Sequence, residues 1–216
     1  MNYLAHILLA RQSDAAMIGA MLGDFVKAND MRNYPAEIAR EITLHRNIDS
    51  YTDSHPLFRS SVQLFGEGRR RYAGIVLDVL YDHLLSQRWD NFCDIHRTEF
   101  IQRFYRALLA HQEMLPEKLR LIAPHIVQQD WLGSYAELEG VERAVTRISQ
   151  RLSRNGELLR EGLADVRVHY AALAEGFEEF FPQLVSYADE RRSELKAELV
   201  SHLGSDPKMD TKVLIS

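Results

Sequence analysis

The chain has 216 residues, enough for one sizeable core and short for two domains. Hydrophobic residues make up 46% and charged residues 26%, the profile of a globular protein, and no apolar run is long enough to cross a bilayer. A formal net charge of −5 argues against nonspecific nucleic-acid binding, and the single cysteine, Cys93, excludes an intrachain disulfide. The opening "MNYLAHILLARQ" has neither a basic leader region nor a small-residue cleavage pattern, so the expected location is cytoplasmic.

The dominant hydrophobic period is 3.6, and no alternating strand pattern emerges. In chain order, helices are expected over Tyr3–Arg11, Ala15–Lys27, Pro35–Tyr51, Pro56–Phe65, Arg70–Trp89, Asp94–Gln112, Glu117–Trp131, Tyr135–Leu152 and Val166–Leu203. Asp14 suits the cap of the second. Pro35 and Pro56 suit first-turn positions, where the missing N–H has no helical partner anyway. "SYAE", Ser134 to Glu137, reads as a capping box. Pro124 and Pro182 are expected to kink or split their helices. The fold class that follows is all-α: one multi-helix domain over residues 1–203, with a flexible tail over 204–216.

Polar residues interrupt the apolar faces of four of the first five helical stretches. His6 breaks "YLAHILLA", and Met17, Met21 and Asp24 share one face of "AMIGAMLGDFVK". Ile38, Ile42, His45 and Asp49 form the next stripe, which Asp53 extends by a turn. Asp78 and Asp82 lie on the apolar face of "GIVLDVLYDHLLSQRW", followed at once by His83. A buried carboxylate must be paired, hydrogen-bonded or metal-bound, or it takes up a proton. A set of acids and histidines on neighbouring helices is most simply explained by a shared cation, and no thiolate selects a soft metal. Singly, each residue also has a structural reading as a cap, surface pair or buried acceptor. Gly19 and Gly23 lower helix stability and open room for close helix packing.

Four ordered blocks, "MNYLAHILLA", "GAMLGDFVK", "LHRNIDSYTDSHP" and "AGIVLDVLYDHLLSQRW", resemble the acyl carrier protein phosphodiesterase family. The resemblance implies removal of the 4'-phosphopantetheine arm from holo-acyl carrier protein, giving apo-carrier and free 4'-phosphopantetheine. It also implies an HD-domain-like helical fold and a divalent metal, Mn²⁺ first, with Mg²⁺ or Fe²⁺ as alternatives. The chain lacks a His-Asp dipeptide and carries Asp82-His83 in reverse order, so the ligands of an ordinary HD enzyme cannot be copied across. The preferred ligands are Asp24, His45, Asp78 and Asp82, with His6, Asp49 and His83 as further ligands or as groups that orient them.

For catalysis, Asp78 or Asp82 would orient the attacking water, Arg46 would stabilise phosphoryl charge, and His83 would protonate the leaving serine oxygen. Arg46 has a rival reading as an exposed ion-pair partner, and His83 could face away, since adjacent helix residues diverge by about 100°. An acidic carrier protein calls for a basic surface. Arg59, Arg69, Arg70 and Arg71 in "FRSSVQLFGEGRRRYAG" are the candidates, with Lys27 and Arg32 as extensions. Neither nucleic acid nor membrane is an expected partner, and the oligomeric state is left open. Two other functions fit the residues: a general HD-like phosphohydrolase of nucleotides or small phosphodiesters, and a noncatalytic helical binding protein for an acidic partner.

Overall fold

The computed structural model describes the backbone of residues 3–204 and side chains through residue 198; of the tail expected over 204–216, residues 205–216 lie outside the described residues. Helices occupy Tyr3–Leu9 (α1), Asp14–Leu22 (α2), Ala36–Ser54 (α3), Pro56–Gln63 (α4), Ala73–Gln87 (α5), Arg97–Ala110 (α6), Glu117–Gln128 (α7), Leu138–Ser149 (α8) and Gly156–Gly204 (α9). Short 3-10 turns join several of them, and there is no strand among the described residues. Among the described residues, all nine α-helices feed one core, from Leu4, Met17, Ile42 and Phe58 through Leu77, Phe104, Leu119 and Val141 to Phe177. The protein is therefore a single all-α domain. No described helix is long and apolar enough to cross a membrane.

The long α9 is the strut of the bundle. Phe177, Phe180 and Phe181 are fully buried along its inner face. Tyr81 of α5 meets Phe177 edge-on, with ring centroids 5.2 Å apart. Fully burying each such ring contributes about 1.5–3 kcal/mol. Polar anchors then fix the register. Arg192 of α9 reaches the buried Glu41 of α3 at 3.1 Å and the Leu9 carbonyl of α1 at 2.6 Å. α9 thus braces the two helices that carry His6 and His45.

Several local signals resolve differently from the sequence reading. Ser13, not Asp14, caps α2, accepting from the Ala16 N–H at 3.0 Å while donating to Glu37 at 2.7 Å. Asp14 instead pairs with Arg103 at 2.8 Å. The "SYAE" stretch forms a 3-10 turn, and Ser134 Oγ donates to the Trp131 carbonyl rather than capping α8. α9 starts ten residues before Val166 and runs through Pro182; its non-helical backbone is at His169. Pro124 likewise sits inside α7 without splitting it. Ala123 and Ile126 on either side of Pro124, and Phe181 and Leu184 on either side of Pro182, are buried and anchor each helix across its proline.

Candidate metal centre

The site begins at a glycine. A Cβ on Gly23, at the end of α2, would lie 2.1 Å from Cγ of His45, so only glycine lets the α2 terminus rest against that ring. Gly19, one turn earlier, is similarly closed in: a Cβ there would lie 2.7 Å from the Ile38 carbonyl oxygen and from Glu41 Cβ of α3. The two helices meet this closely because both positions lack side chains.

The close approach orients His45. Its Nδ1–H donates to the Ala20 carbonyl at 2.7 Å, so Nε2 faces outward. There it meets Asp24 Oδ1 at 3.3 Å and Asp49 Oδ2 at 3.2 Å. His6 of α1 stacks on His45 with ring centroids 3.7 Å apart and reaches the other Asp49 oxygen at 3.1 Å. His6, His45 and Asp49 place one donor atom each within 4.8 Å of one another. Asp24 closes the other side of His45 Nε2. Both imidazoles are buried, whereas Asp24 and Asp49 are half-exposed and keep a path to solvent.

The electrostatics match this layout. Burial alone would lower His45, but hydrogen bonds and charge from Asp24 and Asp49 overcome it and raise the imidazole to about 9. His6 is lowered to about 4, first by burial and then by the charge of His45. Burial would raise Asp49, but its bonds to the two histidines hold it well below the usual carboxylate range. Asp24 is lowered too, the bond and charge of His45 outweighing burial. The group therefore holds one proton where a cation fits. Two imidazole nitrogens and two carboxylates make a hard-to-borderline donor set, and Cys93 is buried elsewhere in the core. These residues fit a divalent metal.

A cleft of about 300 Å³ opens from this group, lined by Asp24, Asp49, Asp53, Asp78, Tyr3, Ile75, Val79 and Ile148. Burial raises Asp78, and the Asp49 and Asp53 charges add to it. Of the expected ligands, Asp24 and His45 are in contact, Asp78 lines the same cleft, and His6 and Asp49 lie at its head.

Asp82 departs from its expected role as ligand and catalytic group. It is fully buried, and its oxygens accept the Leu4 and Ala5 N–H groups at 2.9 and 3.0 Å, capping α1. His83 turns to the opposite side of α5, with Nδ1 at 2.9 Å from the Tyr135 carbonyl and Nε2 at 2.9 Å from the Tyr170 hydroxyl. It lines a separate cleft with Gln87, Glu137 and Arg167, so it does not face the group around His45. Arg46 donates to the Val26 carbonyl and contacts Met31 sulfur at 3.2 Å, buttressing the segment after α2.

The arginine-rich stretch is largely engaged. Arg69 holds Asp165 of α9 bidentately at 2.7 and 2.8 Å, which ties the loop carrying Gly66 and Gly68 to that helix. Arg70 donates to the Phe65 carbonyl at 3.1 Å, Arg59 to the Asp53 carbonyl at 3.2 Å, and Arg71 lies 5.1 Å over the Tyr72 ring. The sequence reading missed Tyr3 and Ile148. Tyr3 stands three residues before His6 and hence near its face of α1, a signal that spacing carried; Ile148 comes from the C-terminal half, where nothing in the pattern marks it.

The acyl carrier protein phosphodiesterase family model matches residues 1–184. The acyl carrier protein phosphodiesterase of Yersinia enterocolitica is 33% identical over 193 residues, spanning 89% of this chain and all of that protein. Those of Klebsiella pneumoniae, at 33% over 193 residues, and Photorhabdus laumondii, at 32% over 192, cover 89% and 88% of this chain and 100% and 96% of their own lengths. No solved structure matches. With a family match over most of its length and relatives aligned over nearly the whole of theirs, the chain belongs to the acyl carrier protein phosphodiesterase family.

Proposed function

We propose that the chain hydrolyses the phosphodiester between 4'-phosphopantetheine and the serine of holo-acyl carrier protein, using a divalent metal held by His6, Asp24, His45 and Asp49. The observation that carries the reading is the convergence of these four side chains at the head of an acidic cleft, in a chain of this family. Mn²⁺ suits the mixed nitrogen and oxygen donors, and Mg²⁺ and Fe²⁺ are the alternatives. An all-helical scaffold with His and Asp on facing helices supports a divergent HD-type phosphohydrolase. When bound, the metal supplies Lewis acidity, polarising a phosphoryl oxygen and lowering the pKa of bound water.

The chain's own residues do the rest. The Ala20 carbonyl fixes the His45 tautomer, leaving Nε2 as a ligand atom. Asp78, on the cleft wall, orients the attacking water, takes its proton and returns it to the departing serine oxygen. Burial and the Asp24 charge raise Tyr3 above the ordinary phenol range, so its hydroxyl stays protonated as a donor in the cleft. Asp82 and His83 hold α1 and α5 in place rather than touch substrate.

The test is mass spectrometry of holo-carrier incubated with the protein and Mn²⁺. Loss of the phosphopantetheine mass is expected, and a folded His45→Gln protein should leave it intact. Turnover of nucleotides or small phosphodiesters with no change in carrier mass would favour a general phosphohydrolase. Unchanged melting with added Mn²⁺, together with no bound metal, would favour a noncatalytic binding protein.

A further inference from the structure

The scissile bond joins phosphorus directly to a carrier serine, so the carrier's own surface must come within a few ångströms of the cleft. Whatever grips the carrier must therefore border it. One cleft wall is Ile148, in the last turn of α8. On the same helix and the turn after it, Arg143, Arg147 and Arg151 recur every four residues. That spacing lines three guanidinium groups along one side.

These arginines differ from the seven that carry salt bridges elsewhere in the fold. Arg40, Arg69, Arg88, Arg103, Arg167, Arg191 and Arg192 each pair with a carboxylate. Among the described residues, no carboxylate lies in ion-pair contact with Arg143, Arg147 or Arg151. Arg143 and Arg151 are exposed. Arg147 lies over the Trp131 ring at 4.1 Å, held by a cation–π contact rather than by charge pairing. Like charges four residues apart repel, and an anionic surface set against the stripe would relieve that repulsion. Arg151 is also close enough to act electrostatically on Tyr3 at the cleft.

We propose that Arg143, Arg147 and Arg151 form the docking surface for the acidic carrier protein, placing its modified serine at the cleft mouth beside Ile148. This rests on the carrier being the substrate, as proposed above. It moves the docking role away from Arg59 and Arg69–Arg71. The cleft itself carries four carboxylates and would repel an acidic partner. A positive stripe along its edge offsets that repulsion and orients the approach.

The experiment measures binding of fluorescently labelled apo-carrier by anisotropy at two salt concentrations. R143E/R147E/R151E should bind at least tenfold more weakly than wild type, with a shallower salt dependence. R143E/R151E keeps Arg147 on Trp131, so its fold is preserved by design, and it should show most of the same loss. Wild-type-like affinity in R143E/R151E overturns the assignment, as does a wild-type protein that does not bind carrier. Turnover is read separately by carrier mass. Stripe-dependent binding without phosphopantetheine release would defeat the activity reading and leave the docking surface standing. Release by R143E/R151E at the wild-type rate with subsaturating carrier would defeat the docking surface and leave the activity standing.

Discussion

At the scale of single residues, two histidines stacked at 3.7 Å have opposite protonation preferences, and this sets the pH response of the metal-free protein. His45 is raised to about 9 from an ordinary 6.5. Below 6.5 folded and unfolded chains both hold its proton and its stabilisation is fully present; between 6.5 and about 9 only the folded chain does, so stability falls as pH rises. His6, lowered to about 4, has the opposite sign: from 6.5 down to about 4 the unfolded chain binds a proton that folded His6 refuses. Stability in EDTA should fall by about 1–2 kcal/mol between pH 6.5 and about 9, once solvent screening of the half-exposed Asp24 and Asp49 is counted. On the acid side Asp82, pushed up to about 7 by burial, takes up a proton in the folded chain and offsets the His6 loss. Urea denaturation from pH 5 to 9 reads this directly, and His45→Gln should remove the alkaline arm; a flat wild-type profile would contradict it. Asp82 gives a second case. Because both its oxygens cap α1, Asp82→Ala should lower stability by about 1–3 kcal/mol while the protein still binds its metal at saturation. Lost metal with unchanged melting would return Asp82 to the ligand set. The sequence placed Asp82 correctly inside the apolar face, but a buried carboxylate reads the same whether it meets a cation or two backbone amides. Only the position of α1, seventy-seven residues away in sequence, decides between them.

At the scale of helices, the readable part was whatever the 3.6 period and local chemistry control. His45 and Asp49, one turn apart on α3, meet as the spacing requires, at 3.2 Å. Gly19 and Gly23 mark the close α2–α3 approach that their lack of side chains suggested. Other features depend on partners that lie far away in sequence. Ser13 outcompetes Asp14 as a cap because Glu37 of α3 also accepts a hydrogen bond from its hydroxyl, and Arg69 leaves the expected docking set because Asp165 of α9 captures it. His83 faces away because the angle between neighbouring helix positions turns it toward Tyr135. Gly23 carries the sharpest consequence at this scale. Gly23→Ala drives a methyl group into the His45 ring, which must tilt off the Ala20 carbonyl. Metal affinity should fall about 10–100-fold, as for a lost ligand-orienting partner, with about 1–3 kcal/mol of destabilisation from overpacking. Metal titration of the folded variant reads the first effect and thermal melting the second. Wild-type affinity would mean that α2 can slide away from α3 at little cost.

At the scale of the molecule, the two histidines proposed as metal ligands come from α1 and α3, helices with α2 between them in the chain. His6 sits on α1, a helix of seven residues, too short to persist without tertiary support. Its N-terminus is held by Asp82 of α5, and its C-terminal Leu9 carbonyl by Arg192 of α9. The same guanidinium pairs with Glu41, which is 1% exposed on α3, the helix of His45 and Asp49. One side chain near the end of the described chain therefore ties both ligand helices to the strut. Arg192→Ala would leave the Glu41 carboxylate buried with only Gln12 and Arg40, each at 3.2 Å, as partners. Breaking a buried pair typically costs about 3–5 kcal/mol; the two remaining contacts place this one near 3. For a domain of this size that corresponds to a fall in melting temperature of roughly 6–12 °C. Added Mn²⁺ should recover part of the loss, because a ligand that binds only the folded arrangement draws α1 and α3 back together. Glu41→Gln in the Arg192→Ala background removes the stranded charge and should restore stability relative to Arg192→Ala alone. If the double variant melts no higher than the single one, the charge of Glu41 is not what Arg192 compensates, and the brace works through the Leu9 carbonyl instead.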